Sequence, residues 1–202
     1  LHFMGYNFLM TPERTIIFLA STGEEKGLLG SKFYTDNPVM PLHKTAANIN
    51  IDGLAFIDRF KSVIGIGSEY SELEKIMKQA AENMGLKFEE IPEEFKSSEA
   101  FNRSDQIAFA QAGIPSVLVL DGLDYQTFSD SYAMLILKDY FKNIYHTPFD
   151  DLKIPVSYDA TALHLRYINE LVTELDKKSG LPEWNKDAPF RNARLRSKAE
   201  QR

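Results

Sequence analysis

Apolar and polar positions along this chain switch repeatedly between two periods. "RTIIFLAS", Arg14 to Ser21, is an unbroken apolar and β-branched run, the pattern of a strand buried on both faces. "GLLGSKFYTD" then carries Leu28, Leu29 and Phe33 at helical spacing, and Asn37-Pro38 ends it. "KTAANINID", Lys44 to Asp52, returns to a strand pattern closed by Gly53, and "SVIGIG", Ser62 to Gly67, is a third strand. "SELEKIMKQAAENMG", Ser71 to Gly85, predicts a helix with a serine cap and a glycine stop. Its Leu73, Ile76, Met77 and Ala80 share one face. "LKFEEI" is a short fourth strand.

The second half continues the alternation. "RSDQIAFAQAG", Arg103 to Gly113, reads as a short helix capped by Ser104 or Asp105, and "IPSVLVL", Ile114 to Leu120, as a buried strand. Between Asp121 and Tyr145 the pattern supports one helix around Tyr132 to Phe141. Ser157 to Gly180 is a long amphipathic helix ending in lysines and glycine, and after Pro182 the chain turns polar. Residues 1–180 are therefore expected to fold as one domain, and 181–202 to form a polar, disordered tail. Strands alternating with helices predict an α/β fold: a mostly parallel or mixed sheet with helices on both faces. Ligands in such folds sit beyond the carboxyl ends of strands.

Composition narrows the function. The 202 residues are 44% hydrophobic, enough for one globular core. The formal net charge is -6, which argues against nucleic acid as a partner, because phosphate binding needs a basic face. The basic stretch Arg191 to Arg202 reads as a solvated end. There is no cysteine, hence no disulfide and no thiolate metal site. No apolar stretch approaches the roughly 20 residues of a membrane-spanning helix.

Candidate chemistry collects where strands are expected to end. Glu24 and Glu25 follow the first strand, Asp52 closes the second, Ser104-Asp105 opens a helix, and His146 lies in the loop "YHTPFDD". Carboxylate and imidazole are the donors that suit Zn²⁺ when thiolate is lacking. Of two adjacent glutamates, one can hold a metal while the other serves as general base. Each feature alone has a plainer reading. Paired glutamates occur on solvated turns, Asp-Gly is a turn, a histidine beside Thr-Pro fills a loop, and Asp105 caps a helix.

Their order is more specific. "GEEKGLLGS", "NIDG", "RSDQIAFAQAGIPSV" and "YHTPFDD" resemble, in sequence, the zinc aminopeptidase and glutamate carboxypeptidase II family of metallopeptidases, over about Arg14 to Leu175. The resemblance implies two zinc ions joined by a bridging aspartate and a water, with a peptide as substrate. It implies Glu24 as general base, Glu25 and His146 as ligands of one metal, Asp52 as ligand of the second, and Tyr145 as a hydrogen-bond donor to the reacting group. It also implies an upstream His-x-Asp ligand segment and the bridging aspartate. Only 23 residues precede Glu24, and their single histidine, His2, lacks that pattern. Residues 1–180 are thus expected to be a truncated metallopeptidase catalytic domain, binding zinc weakly and showing little activity. A sheet edge or apolar face left open is expected to favour pairing with another copy. Gln106 stands where many relatives have histidine, near the substrate. A glutaminyl cyclase with one zinc shares these features, and a non-catalytic binding domain of the same fold is the third reading; Asp52 favours the peptidase. Family members are often exported, so an extracytoplasmic location is expected.

Overall fold

A computed structural model describes residues 12–53, 55–91 and 100–200. His2 lies outside them. Four strands form one mixed sheet: β1 (Asn48–Asn50), β2 (Ser62–Ile66), β3 (Lys87–Phe88) and β4 (Ser116–Asp121), in the order β1-β4-β2-β3. β1 runs parallel to β4, with Asn50 opposite Leu118, and β2 runs antiparallel to β4, with Ile66 opposite Leu118. Six helices are described: α1 (Leu29–Asp36), α2 (Leu73–Asn83), α3 (Gln106–Gln111), α4 (Asp130–Asn143), α5 (Tyr158–Lys177) and α6 (Arg191–Glu200).

Side-chain alternation divides the core in two. Val63, Val117 and Val119 face one side of the sheet and pack on Leu73 and Met77 of α2 and on Leu163, Tyr167 and Leu171 of α5. Ile64, Ile66 and Leu118 face the other side, against Phe101, Ile107, Trp184 and Ala188. Helices therefore cover both faces, as expected. The Tyr167 hydroxyl donates to the Met77 carbonyl at 3.1 Å and joins α5 to α2 inside the core.

Three expectations fail. Arg14 to Ser21 is not a strand, and Ile17, Phe18 and Leu19 are exposed. A two-sided apolar run becomes a strand only where neighbours can pair with it, and among the described residues none does so. Its start is tied elsewhere. The Arg14 guanidinium donates to the carbonyls of Leu175, Asp176, Lys178 and Gly180, and the Asp176 carboxylate accepts from the amides of Glu13 and Arg14. Second, the strand expected over Lys44 to Asp52 shortens to Asn48–Asn50, at one edge of the described sheet. Third, the polar segment after Pro182 is ordered. Trp184 is buried and donates through its indole nitrogen to Gly113 O at 2.9 Å. Arg194, also buried, donates to the carbonyls of Leu42 and Thr45. Polarity was a poor guide because two large side chains, one aromatic and one cationic, do the anchoring.

Helix α5 also grips the chain after Asp52. The Ala55 amide donates to His164 Nδ1 at 3.1 Å, and Thr161 Oγ1 donates to the Ala55 carbonyl at 2.9 Å. His164 is fully buried, and burial pushes its pKa from 6.5 down to about 4, against a weaker upward pull from the Val119 carbonyl. Nε2 is buried without a hydrogen-bond partner. The unfolded chain thus binds a proton at His164 that the folded chain refuses. The stabilisation is full above about pH 6.5 and is lost as pH falls toward 4, by about 3 kcal/mol in total. Denaturant unfolding between pH 7 and pH 4 is expected to show this slope in the native protein, and His164→Gln is expected to flatten it.

Candidate functional site

Local backbone geometry explains the "GEEKGLLGS" block. Glu24–Lys26 form a single 3-10 turn between Gly23 and Gly27, both in the left-handed region. Gly27, at φ 97°, donates to the Glu24 carbonyl and closes the turn. Gly30 N donates to Thr22 O at 2.8 Å, and a Cβ at Gly30 would meet the Thr22 backbone at 2.6 Å. Side chains larger than hydrogen are excluded where the chain folds back. This turn presents Glu24 half-buried and Glu25 exposed.

His146 follows α4, whose backbone ends in a bond from Tyr145 N to Tyr140 O. Its φ is 59°, left-handed for a residue with a Cβ, a conformation that costs on the order of 1 kcal/mol or more and is common at functional sites. The Tyr145 ring stacks on the imidazole, with centroids 3.7 Å apart and planes at 23°. His146 Nε2 lies 2.7 Å from Glu25 Oε1.

Asp52 follows β1 by two residues. Its Oδ2 accepts from Ser104 Oγ at 2.6 Å. Glu24 binds its proton more tightly than an ordinary glutamate, first from burial and then from the negative charges of Asp52, Glu25 and Asp105; His146 acts in the opposite direction. Tyr145 holds its proton more tightly for the same kinds of reason: burial, then Asp52, Glu25 and Glu24. Glu24, Glu25, Asp52, Asp105, Tyr145 and His146, from four distant stretches of chain, thus share one electrostatic neighbourhood.

Two contributors were misread in the sequence. Asp105 does not cap α3 with its side chain. One of its oxygens accepts from Ser21 Oγ; the other, Oδ1, is buried without a partner. Ser104 serves Asp52 rather than the helix end. The signal was present as "RSD" at the head of a helix after two other acidic blocks, but capping was the simpler account of it. Gln106 is fully buried and is bonded to Asn50 and Phe101.

Glu25 and His146 fit a zinc shell by donor type, an imidazole nitrogen and a carboxylate oxygen. Among the described residues no three His, Asp or Glu side chains are gathered so as to enclose one ion.

The profile of the family described as Peptidase family M28 matches residues 7–172. Among solved structures, an aminopeptidase from Aneurinibacillus sp. strain AM-1 is similar at 18% identity with a TM-score of 0.50, over 78% of this chain. The match spans 32% of that aminopeptidase, so this chain corresponds to about a third of its length. That likeness is one of fold. No curated protein matches the chain.

Proposed function

This chain belongs to peptidase family M28, and on that premise we propose that the cluster around Glu24 and His146 is the catalytic face of a metal-dependent exopeptidase acting at peptide N-termini. The observation that carries the proposal is the 2.7 Å Glu25–His146 contact, with Glu24, Asp52 and Tyr145 in electrostatic reach of it. Glu25 and His146 would hold one zinc ion, and Asp52 a second. Zinc held there supplies Lewis acidity toward the scissile carbonyl and a water with a pKa of about 7.

The chain's own residues divide the remaining work. Glu24 is half-buried, and burial, then the charges of Asp52, Glu25 and Asp105, raise its proton affinity. It accepts the proton of the attacking water and returns it to the departing amine, which requires a group able to run in both directions. Tyr145, kept protonated, donates toward the negative charge that develops on the substrate oxygen. Asp52 keeps one oxygen on Ser104, so its other oxygen is the one available to a ligand.

The proposed set among the described residues is Glu25, Asp52 and His146, three ligands for two ions, and affinity follows ligand number. Calorimetric titration is expected to give zinc dissociation constants above about 10 µM, under about 7 kcal/mol of binding. Turnover of aminoacyl anilides is expected to be slight, with no cyclisation of N-terminal glutaminyl peptides. Two tight zinc sites, or cyclisation without hydrolysis, would contradict the reading. The exposed run Ile17 to Leu19, with Leu29, Phe33 and Val39 also exposed, is the apolar surface we assign to pairing with another copy. An extracytoplasmic setting is part of the same proposal on family grounds alone.

A further inference from the structure

A line of hydrogen bonds leads from the interior to the Asp52 carboxylate. Gln106 Nε2 donates to the Phe101 carbonyl at 2.8 Å. Gln106 Oε1 accepts from Asn50 Nδ2 at 2.8 Å. The same Asn50 nitrogen donates to Ser104 Oγ at 2.8 Å, and Ser104 Oγ donates to Asp52 Oδ2 at 2.6 Å. Ser104 and Gln106 are buried; Asn50 is half-buried in β1.

The proton count makes this line one-way. The Asn50 amide has two N–H donors, and both are used. Were Asn50 turned over, its oxygen would accept the only Ser104 proton, and the hydroxyl would present lone pairs to Asp52. Were Gln106 turned over, its amide nitrogen would face that of Asn50, donor against donor. The Phe101 carbonyl forbids that turn, because it needs a donor and belongs to backbone. Phe101 itself is buried and packs against Tyr70 and Phe190. A fixed main-chain carbonyl thereby decides which way each amide points, and so which group meets the carboxylate.

We infer that Gln106 is a positioning residue for Asp52, acting through Asn50 and Ser104 to hold the carboxylate in one rotation. The inference bears on catalysis only through the reading of Asp52 as a metal ligand, but its test needs no metal. Outer partners of metal ligands act in this manner, setting direction rather than making contact. Ser104 and Gln106, the interior members of the line, are buried, where hydrogen bonds are stronger and specify one arrangement.

The test is made on the metal-free protein by NMR, reading the three-bond couplings that report the Asp52 χ1 rotamer. The native protein is expected to show one dominant rotamer. Gln106→Met removes the amide's hydrogen bonds at similar volume and is expected to collapse the couplings to averaged values, with faster exchange of the Asn50 side-chain amide. Gln106→His can supply one donor and one acceptor and is expected to restore the single rotamer. In a Ser104→Ala background, Gln106→Met is expected to add nothing further. Should Gln106→Met fail to fold, Asn50→Ala interrupts the same line from a half-buried position and is expected to give the same averaging. An Asp52 that keeps its rotamer when Gln106 or Asn50 is replaced would overturn the inference. So would a Gln106→Met effect that persists undiminished without the Ser104 hydroxyl. An altered rotamer accompanied by zinc uptake that never touches Asp52 would leave the line of bonds standing and count against the site reading instead.

Discussion

Gly113→Ala is expected to destabilise the protein by about 2–5 kcal/mol and to release the C-terminal helix. Gly113 has a φ of 91°, a region where an L-residue pays roughly 1–2 kcal/mol. A Cβ placed there would stand 2.5 Å from the Arg194 amide nitrogen and 2.7 Å from Arg194 Cα. Those atoms are backbone of α6 and cannot swing aside as a side chain would. Overpacking of this kind adds about 1–3 kcal/mol. The Gly113 carbonyl also accepts the Trp184 indole, so shifting the glycine disturbs two anchors of the same segment. Denaturant unfolding measures the loss, and limited proteolysis reads the release, as faster cleavage between residues 181 and 200. A Gly113→Ala protein with native stability would mean that α6 does not dock as described.

The second large effect separates the paired glutamates. Glu24→Gln keeps the shape of the turn and removes a carboxylate that ligates nothing in the proposed site. It is expected to leave zinc affinity unchanged while lowering any hydrolysis by zinc-saturated protein by about 10²–10⁴-fold, the usual worth of a general base. Glu25→Gln is expected to do the reverse on the binding side, abolishing zinc uptake at the His146 position. The remaining imidazole alone cannot hold the ion at the concentrations that load the native pair. Parallel calorimetry of the two variants reads the difference, and equal loss of zinc binding in both would contradict the assignment of roles.

The helices were readable from sequence because their signals are local. α5 forms where the amphipathic pattern from Ser157 onward placed it, with Ser157 capping it through a bond from Ala160 N, and Leu73, Met77 and Ala80 of α2 are buried together. The strands were less readable. A continuous apolar run such as Arg14 to Ser21 records a capacity to be buried, and only a neighbouring strand turns that capacity into structure. β1 shortened for a related reason, since it pairs only with β4 among the described strands. In the site, residue identity carried further than secondary structure did. Glu25 and His146 meet although 120 residues separate them and the strand expected before Glu24 is absent. Asp105 reads as a cap because that is the common use of an acidic residue at a helix start, and nothing local marks Gln106 as a partner of β1. Their partners, Ser21 and Asn50, come from remote segments that no local pattern connects.

The central claim is that Glu25 and His146 are two ligands of one cation. Zinc titration followed through the imidazole nitrogens by NMR tests it most directly, because the sequence holds only four histidines. The account predicts that His146 responds, in step with the Glu25 carboxyl carbon, while the buried His164 does not, and that Glu25→Gln removes the response. A titration in which another imidazole takes up the zinc while His146 stays unchanged would contradict it.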